Sequence, residues 1–291
     1  MHPMTLLEWL TPWEFSPTLL VLFILSGFLF WRGSRVRNVQ ASRQWLFWVG
    51  WVALYLNLHT MVDYYSERMF FIHRIQHLFL HHLLPFIIML SYPGQVMRAA
   101  LPLSWRKRGR DFLQHQACGQ ALQRFFTHPV LVPLLFVFFV LVWLLPTPQF
   151  YSMIDWRLYR VMNWSVVISG FMYWNLILDR RPHPPSAMRP WGRVVSPLLT
   201  MAPQIVVGIY ITFSTQDLYP IFDLCGRALP GFDALKDQAI GGLIMWVAAG
   251  LVEMFGFVYA LATVLRLSAK GRLHSELLTR FHLASRPKLS P

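Results

Sequence analysis

Charge and cysteine are both scarce in this 291-residue chain. Only 13% of the residues are charged and 13 in all are acidic, whereas 55% are hydrophobic. Mean hydropathy is positive. That balance lies far outside the norm for water-soluble globules and excludes one. Two cysteines, Cys118 and Cys225, build no disulfide framework, and no CxxC metal or redox motif is present. There is no internal repeat of fixed period, and no inverted pair of Gly/Pro-broken helices of the kind that marks repeat-type transporters. Nothing resembles a nucleophile with its base or a phosphate loop, so no enzyme is expected.

What is present is a succession of apolar windows. They predict an all-α, polytopic membrane bundle of seven transmembrane helices near 16–33, 44–64, 70–91, 128–147, 159–178, 194–214 and 240–265, in a single integral membrane domain over 1–291. The first window follows a start with Glu8, Glu14 and no Lys or Arg, and no small-residue cleavage site stands out after it. It reads as a retained helix rather than a signal peptide. Of the 26 basic residues, 20 fall on one side of this arrangement: Arg32 to Arg43, Arg98 to Arg124, Arg180 to Arg193, and the tail from Arg266 to Lys288. The positive-inside rule makes that side cytoplasmic, with the N-terminus outside and the C-terminus inside. The net charge of +13 is therefore orientation and contact with anionic membrane lipid, not a nucleic-acid groove. Cys118 and Cys225 then lie on opposite faces of the membrane. The long cytoplasmic loop 92–127 reads either as a helix on the membrane surface or as a solvated connector.

The third window carries "FFIHRIQHLFLHHLLPF", with four histidines in ten residues. His73, His77 and His81 are four residues apart, so each is turned only about 40° from the last and all share one stripe of a regular helix, while His82 points away. His73 and His81 are about 12 Å apart along the axis, too far for one ion. A metal would use His73 with His77, or His77 with His81, completed from a neighbouring helix. The second window ends "LNLHTMVDYY", and the short turn after it brings His59 to similar depth, which predicts a His59, His73 and His77 cluster opening to the outer side. Imidazole suits copper or zinc, and added thioether favours Cu(I). Ionisable groups inside a bilayer point to function by default; the alternative is hydrogen-bond glue between helices.

The last window begins "KDQAIGGLIMWVAAGLVEMFGF". Asp237, Gly241 and Met245 share one face, so a carboxylate, a small residue and a soft sulfur point the same way. Asp237 either joins a metal or caps its own helix. Met245 is a soft ligand or a core side chain. Glu253, near mid-helix, requires a partner, for which Arg74, His81 and His82 are the candidates. A structural pair or a proton relay both satisfy it. His115, His128 and His183 read as local hydrogen-bond residues.

Three strings together resemble one family. "FIHRIQHLFLHHLLPFIIMLSYP" is similar to its "HM-x-QH-x-LL" helix, "HPVLVPLLFVFFVLVWLLP" to its fourth span, and "DQAIGGLIMWVAAGLV" to its "DQ-x-x-GG-x-x-MW" final helix. The resemblance is to CtaG, the multi-span bacterial assembly factors for cytochrome c oxidase of the caa type, and it covers about residues 45–265. It singles out His73, Gln76, His77, His128, Pro129, Asp237, Gln238, Gly241, Gly242, Met245 and Trp246. It implies a multi-pass protein of the bacterial inner membrane that delivers or inserts copper at the outer face, with an oxidase subunit or a copper chaperone as partner. The chain departs from the family at Arg74, where an apolar residue is usual, and in carrying His81 and His82. Two other readings stand beside copper delivery: a membrane protein holding haem b between His59 and His73 or His77, and a copper permease.

Overall fold

A computed structural model describes residues 10–12, 15–229 and 231–273. The basic tail beyond 273, and Glu8 and Glu14, lie outside the described residues. Within them the chain is helical and without strands, as expected. Seven principal helices are α1 (Pro17–Arg37), α2 (Ala41–His59), α3 (Phe70–Leu90), α4 (Leu131–Val142), α5 (Trp156–Ile177), α6 (Pro190–Phe213) and α7 (Ala234–Ala269).

Local chemistry sets their ends. Pro17 and Pro190 sit in first turns, where their missing N–H has no partner to lose. Asp155 accepts from Arg157 N and Asp233 from Lys236 N, capping α5 and α7. At the break before α4, His128 Nδ1 accepts from Val130 N and Leu131 N, which is the local role expected of it. α1 ends at Asn38, which takes the left-handed conformation that terminates helices.

Three helices, α1, α6 and α7, are long and apolar enough to cross a membrane. Two bent pairs raise that number to five: α3 with Pro93–Ala100, at 62°, and Ala117–Thr127 with α4, at 63°. Each of the seven sequence windows overlaps one principal helix, but two differ from expectation. α2 stops at His59 because Thr60 turns to extended backbone, and α4 has only 12 residues, about 18 Å of rise. The loop 92–127 is helical, and its segment Leu103–His115 buries no residue.

Antiparallel neighbours are read from their contacts. Phe30 stacks on Phe47, Trp51 donates to Ser26, and Phe23 meets Tyr55 edge-on, so α1 and α2 run past each other. α6 and α7 do the same, with Thr212 against Gly242, Gly208 against Trp246, and Thr200 against Glu253. α3 is central and its polar residues face inward. At Gly170 of α5 an added Cβ would collide with the carbonyl of His81, so only glycine lets α5 approach α3 this closely. Apolar side chains including Ile24, Leu199, Val206, Phe213, Leu251 and Phe255 are exposed on the outside of the bundle, the surface that hydrocarbon would cover.

Candidate functional site

Six polar residues of α3, His73, Arg74, Gln76, His77, His81 and His82, are all buried. A regular helix cannot turn both His81 and His82 inward together with His73 and His77. The segment Leu78–Leu83 is a π-helix, whose wide turn absorbs one extra residue and shifts the phase of the residues beyond it. His82, expected to point away, therefore joins the interior. α7 has a second π-helical stretch, Ile244–Ala248, beginning beside Met245.

The polar interior has two tiers. In the one nearer the start of α3, Gln149 bridges: its Oε1 accepts from Arg74 Nη2 at 3.1 Å, and its Nε2 lies 3.3 Å from His73 Nε2. Since the amide nitrogen can only donate there, His73 Nε2 is the acceptor and its proton sits on Nδ1. Gln76 donates to Asp63 at 2.5 Å and to the carbonyl of Asn57, while Tyr159 donates to the same Asp63 oxygen at 2.9 Å. Three polar atoms here are buried without a hydrogen-bond partner: His73 Nδ1, Arg74 Nε and His77 Nε2. The His73 and His77 rings lie 4.4 Å apart between centroids.

The second tier, further along α3, is fully engaged. His81 Nε2 meets Ser169 Oγ at 3.1 Å, and its Nδ1 lies 3.3 Å from that of His82. His82 Nε2 is 3.1 Å from Gln204 Oε1 and 3.3 Å from Glu253 Oε1. The Glu253 carboxylate accepts from Thr200 at 2.5 Å and from Gln204 at 2.6 Å. Of its three expected partners it therefore has His82. Phe136 stacks between His81 and Tyr173 and seals this tier with hydrocarbon.

Between the tiers lies a cavity of about 30 Å³, large enough for a water-sized guest. Arg74, His77, His81, His82, Gln204 and Met245 line it.

The remaining candidates fall elsewhere. His59 accepts from Ser16 N at 3.0 Å through Nε2, and its Nδ1 is 3.0 Å from Tyr55 Oη. Because α2 ends on it, its ring is turned to the start of α1, and its nitrogens are taken by Ser16 there and by Tyr55 of its own helix rather than offered to His73 and His77. Asp237 is a cap, but for a different helix than its own: its two oxygens accept from Phe70 N and Phe71 N at 3.0 and 2.8 Å, holding the start of α3, and it pairs with Arg227. Gly241, one turn on, faces the Phe70 ring and Arg74 of α3. Among the described residues no three His, Cys, Asp or Glu side chains are grouped as a metal site. Cys118 and Cys225 are free.

Sequence reasoning missed Gln149, Tyr159, Ser169, Thr200 and Gln204. The last two stood in plain view, a hydroxyl and an amide one turn apart in an apolar window, and polar groups at such depth require partners.

An all-helical, membrane-type protein with a buried core of imidazoles, amides and carboxylates is the class these observations define. The chain belongs to the cytochrome c oxidase caa3 assembly factor family (Caa3_CtaG), whose family model matches residues 25–267. No curated protein and no solved structure matches it.

Proposed function

We propose that this assembly factor serves cytochrome c oxidase by holding Cu(I) between His77 and Met245, without catalytic turnover, and exchanging it with an oxidase subunit or a copper chaperone on the outer side of the bacterial inner membrane. The observation that carries the reading is that His77, whose Nε2 is buried without a hydrogen-bond partner, lines the same small cavity as Met245. An imidazole nitrogen and a thioether suit a soft monovalent ion, which tolerates low coordination number. His73, whose ring adjoins His77, stands next toward the outer side in a seven-span arrangement with the N-terminus outside, its Nε2 held by Gln149. The dimensions of the cavity suit one ion and not a haem, and His59 is committed to Ser16 and Tyr55.

The test is anaerobic Cu(I) loading of the purified protein with competition by a chromogenic chelator, alongside oxidase maturation in cells. The expected result is loss of bound copper in His77→Ala and Met245→Leu, with His59→Ala retaining it. Copper content unchanged in both of the first two variants sinks the reading. A second reading, passage of copper through the bundle, is favoured by the polar tier that continues past the cavity through His82 and Glu253. It requires copper flux into proteoliposomes, which a holding site alone does not give.

A further inference from the structure

A polar cavity of about 300 Å³ sits at one end of the bundle, where α2 begins and α3 and α5 finish. Four arginines line it, Arg43, Arg98, Arg180 and Arg181, against one carboxylate, Asp179. That carboxylate is occupied by Arg181, whose Nε and Nη2 donate to it at 3.0 and 2.7 Å. Among the described residues the other three guanidiniums have no ion-pair partner.

Two of these unpaired cations are gathered on a single ring. The Cζ atoms of Arg43 and Arg180 lie 5.2 and 4.9 Å from the centroid of Tyr92. Like charges so close repel, yet both are fastened by neutral acceptors. Arg43 donates twice to the carbonyl of Ser91, at 3.1 and 2.6 Å, and Arg180 donates to Tyr259 Oη at 2.5 Å. Tyr92 is itself held in the left-handed region at φ 55°, uncommon for a bulky side chain. Its hydroxyl is anchored to the carbonyl of Leu178 at 3.2 Å and to Tyr259. Strained backbone that fixes two unneutralised guanidiniums beside an open cavity has the character of a preorganised anion clamp.

We propose that this cavity binds a phosphate-bearing anion, with Arg43 and Arg180 as its principal contacts and Arg98 at its rim. Guanidinium forks match phosphate oxygens two at a time, and basic pockets between helices on the cytoplasmic side receive anionic headgroups. The same chemistry is offered by a phospholipid headgroup or a soluble phosphate.

The test uses the full chain, purified and delipidated in detergent, with thermal unfolding as readout. One arm adds phosphatidylglycerol against phosphatidylcholine, and the other adds inorganic phosphate against chloride at equal ionic strength. At least one phosphate probe is expected to raise the midpoint. The Arg43→Gln/Arg180→Gln variant is expected to bind that probe at least about tenfold more weakly, while Lys107→Gln, on the exposed segment Leu103–His115, binds unchanged. Response to the lipid alone assigns a headgroup site, and response to inorganic phosphate as well assigns a soluble ligand. Should the double variant not fold, Arg98→Gln takes its place and also weakens binding. No shift from either probe, or equal weakening by Lys107→Gln, overturns the proposal.

Discussion

His82 Nε2 lies 3.3 Å from Glu253 Oε1, joining a residue that helical periodicity turns outward to the one carboxylate buried near the middle of α7. The pair does not stand alone. Thr200 and Gln204 complete the shell of the carboxylate from α6, so three helices meet at four side chains. Burying such polar groups is costly unless every partner is in place, and here each is.

Glu253→Ala removes the acceptor of Thr200 and Gln204 together. The expected loss of stability is about 1–3 kcal/mol, and Glu253→Gln, which keeps one acceptor, should lose less. Thermal unfolding of the detergent-solubilised protein checks both, and an alanine variant as stable as the parent contradicts the assignment.

Asp237→Ala releases Phe70 N and Phe71 N at the start of α3 and leaves Arg227 with Asp223 alone. A drop of about 1–2 kcal/mol is expected from the lost cap, with hydrogen exchange accelerated at the first turn of α3. Unaltered exchange at those two amides is incompatible with the capping role.

Gly170→Ala drives a methyl into the carbonyl of His81, whereas Gly94 has nothing within 4 Å of a Cβ. The first substitution should destabilise by about 1–3 kcal/mol. Gly94→Ala, in the helix Pro93–Ala100, should be neutral or stabilising by up to about 1 kcal/mol. Comparing the two unfolding midpoints separates the close helix contact from a general intolerance of alanine.

Tyr219, in the connection between α6 and α7, stacks on Phe70 and donates to the carbonyl of Leu144 at 2.8 Å. Burial pushes its phenol up from 10.0 to about 12, against the opposing pull of Arg74. A raised folded value means its contribution is complete below pH 10.0 and is lost as pH climbs toward about 12. Tyr219→Phe should flatten the alkaline fall in stability across that window and remove one late-titrating phenolate from the ultraviolet absorbance curve. A titration curve identical to the parent's rules this out.

The helical class and the approximate position of all seven principal helices were legible from hydropathy, because apolar windows and Pro, Asp and Asn at their ends follow from local chemistry alone. So was the pairing of Glu253 with a residue of α3, since a carboxylate at that depth requires one. The direction of His82 was not legible. It depends on a π-helical turn stabilised by packing against α5, and a 3.6-residue period has no term for it. His59 was misplaced for a related reason: the turn after α2 unwinds at Thr60, and a short connection in sequence did not bring its ring to α3. Asp237 was read as a candidate cap, but that its recipient is the neighbouring helix is a tertiary fact.

The wide turn at Leu78–Leu83 also makes chain length part of the specification of this interior. Deleting Leu78, Phe79 or Leu80 would restore an ordinary helix and swing His81, His82 and everything after them by about 100° relative to His73 and His77. Hydrophobicity and span length would scarcely change, and every histidine would still be present, yet the two tiers would no longer face a common cavity. A one-residue gap in that stretch would thus keep the residues of this interior and lose its architecture.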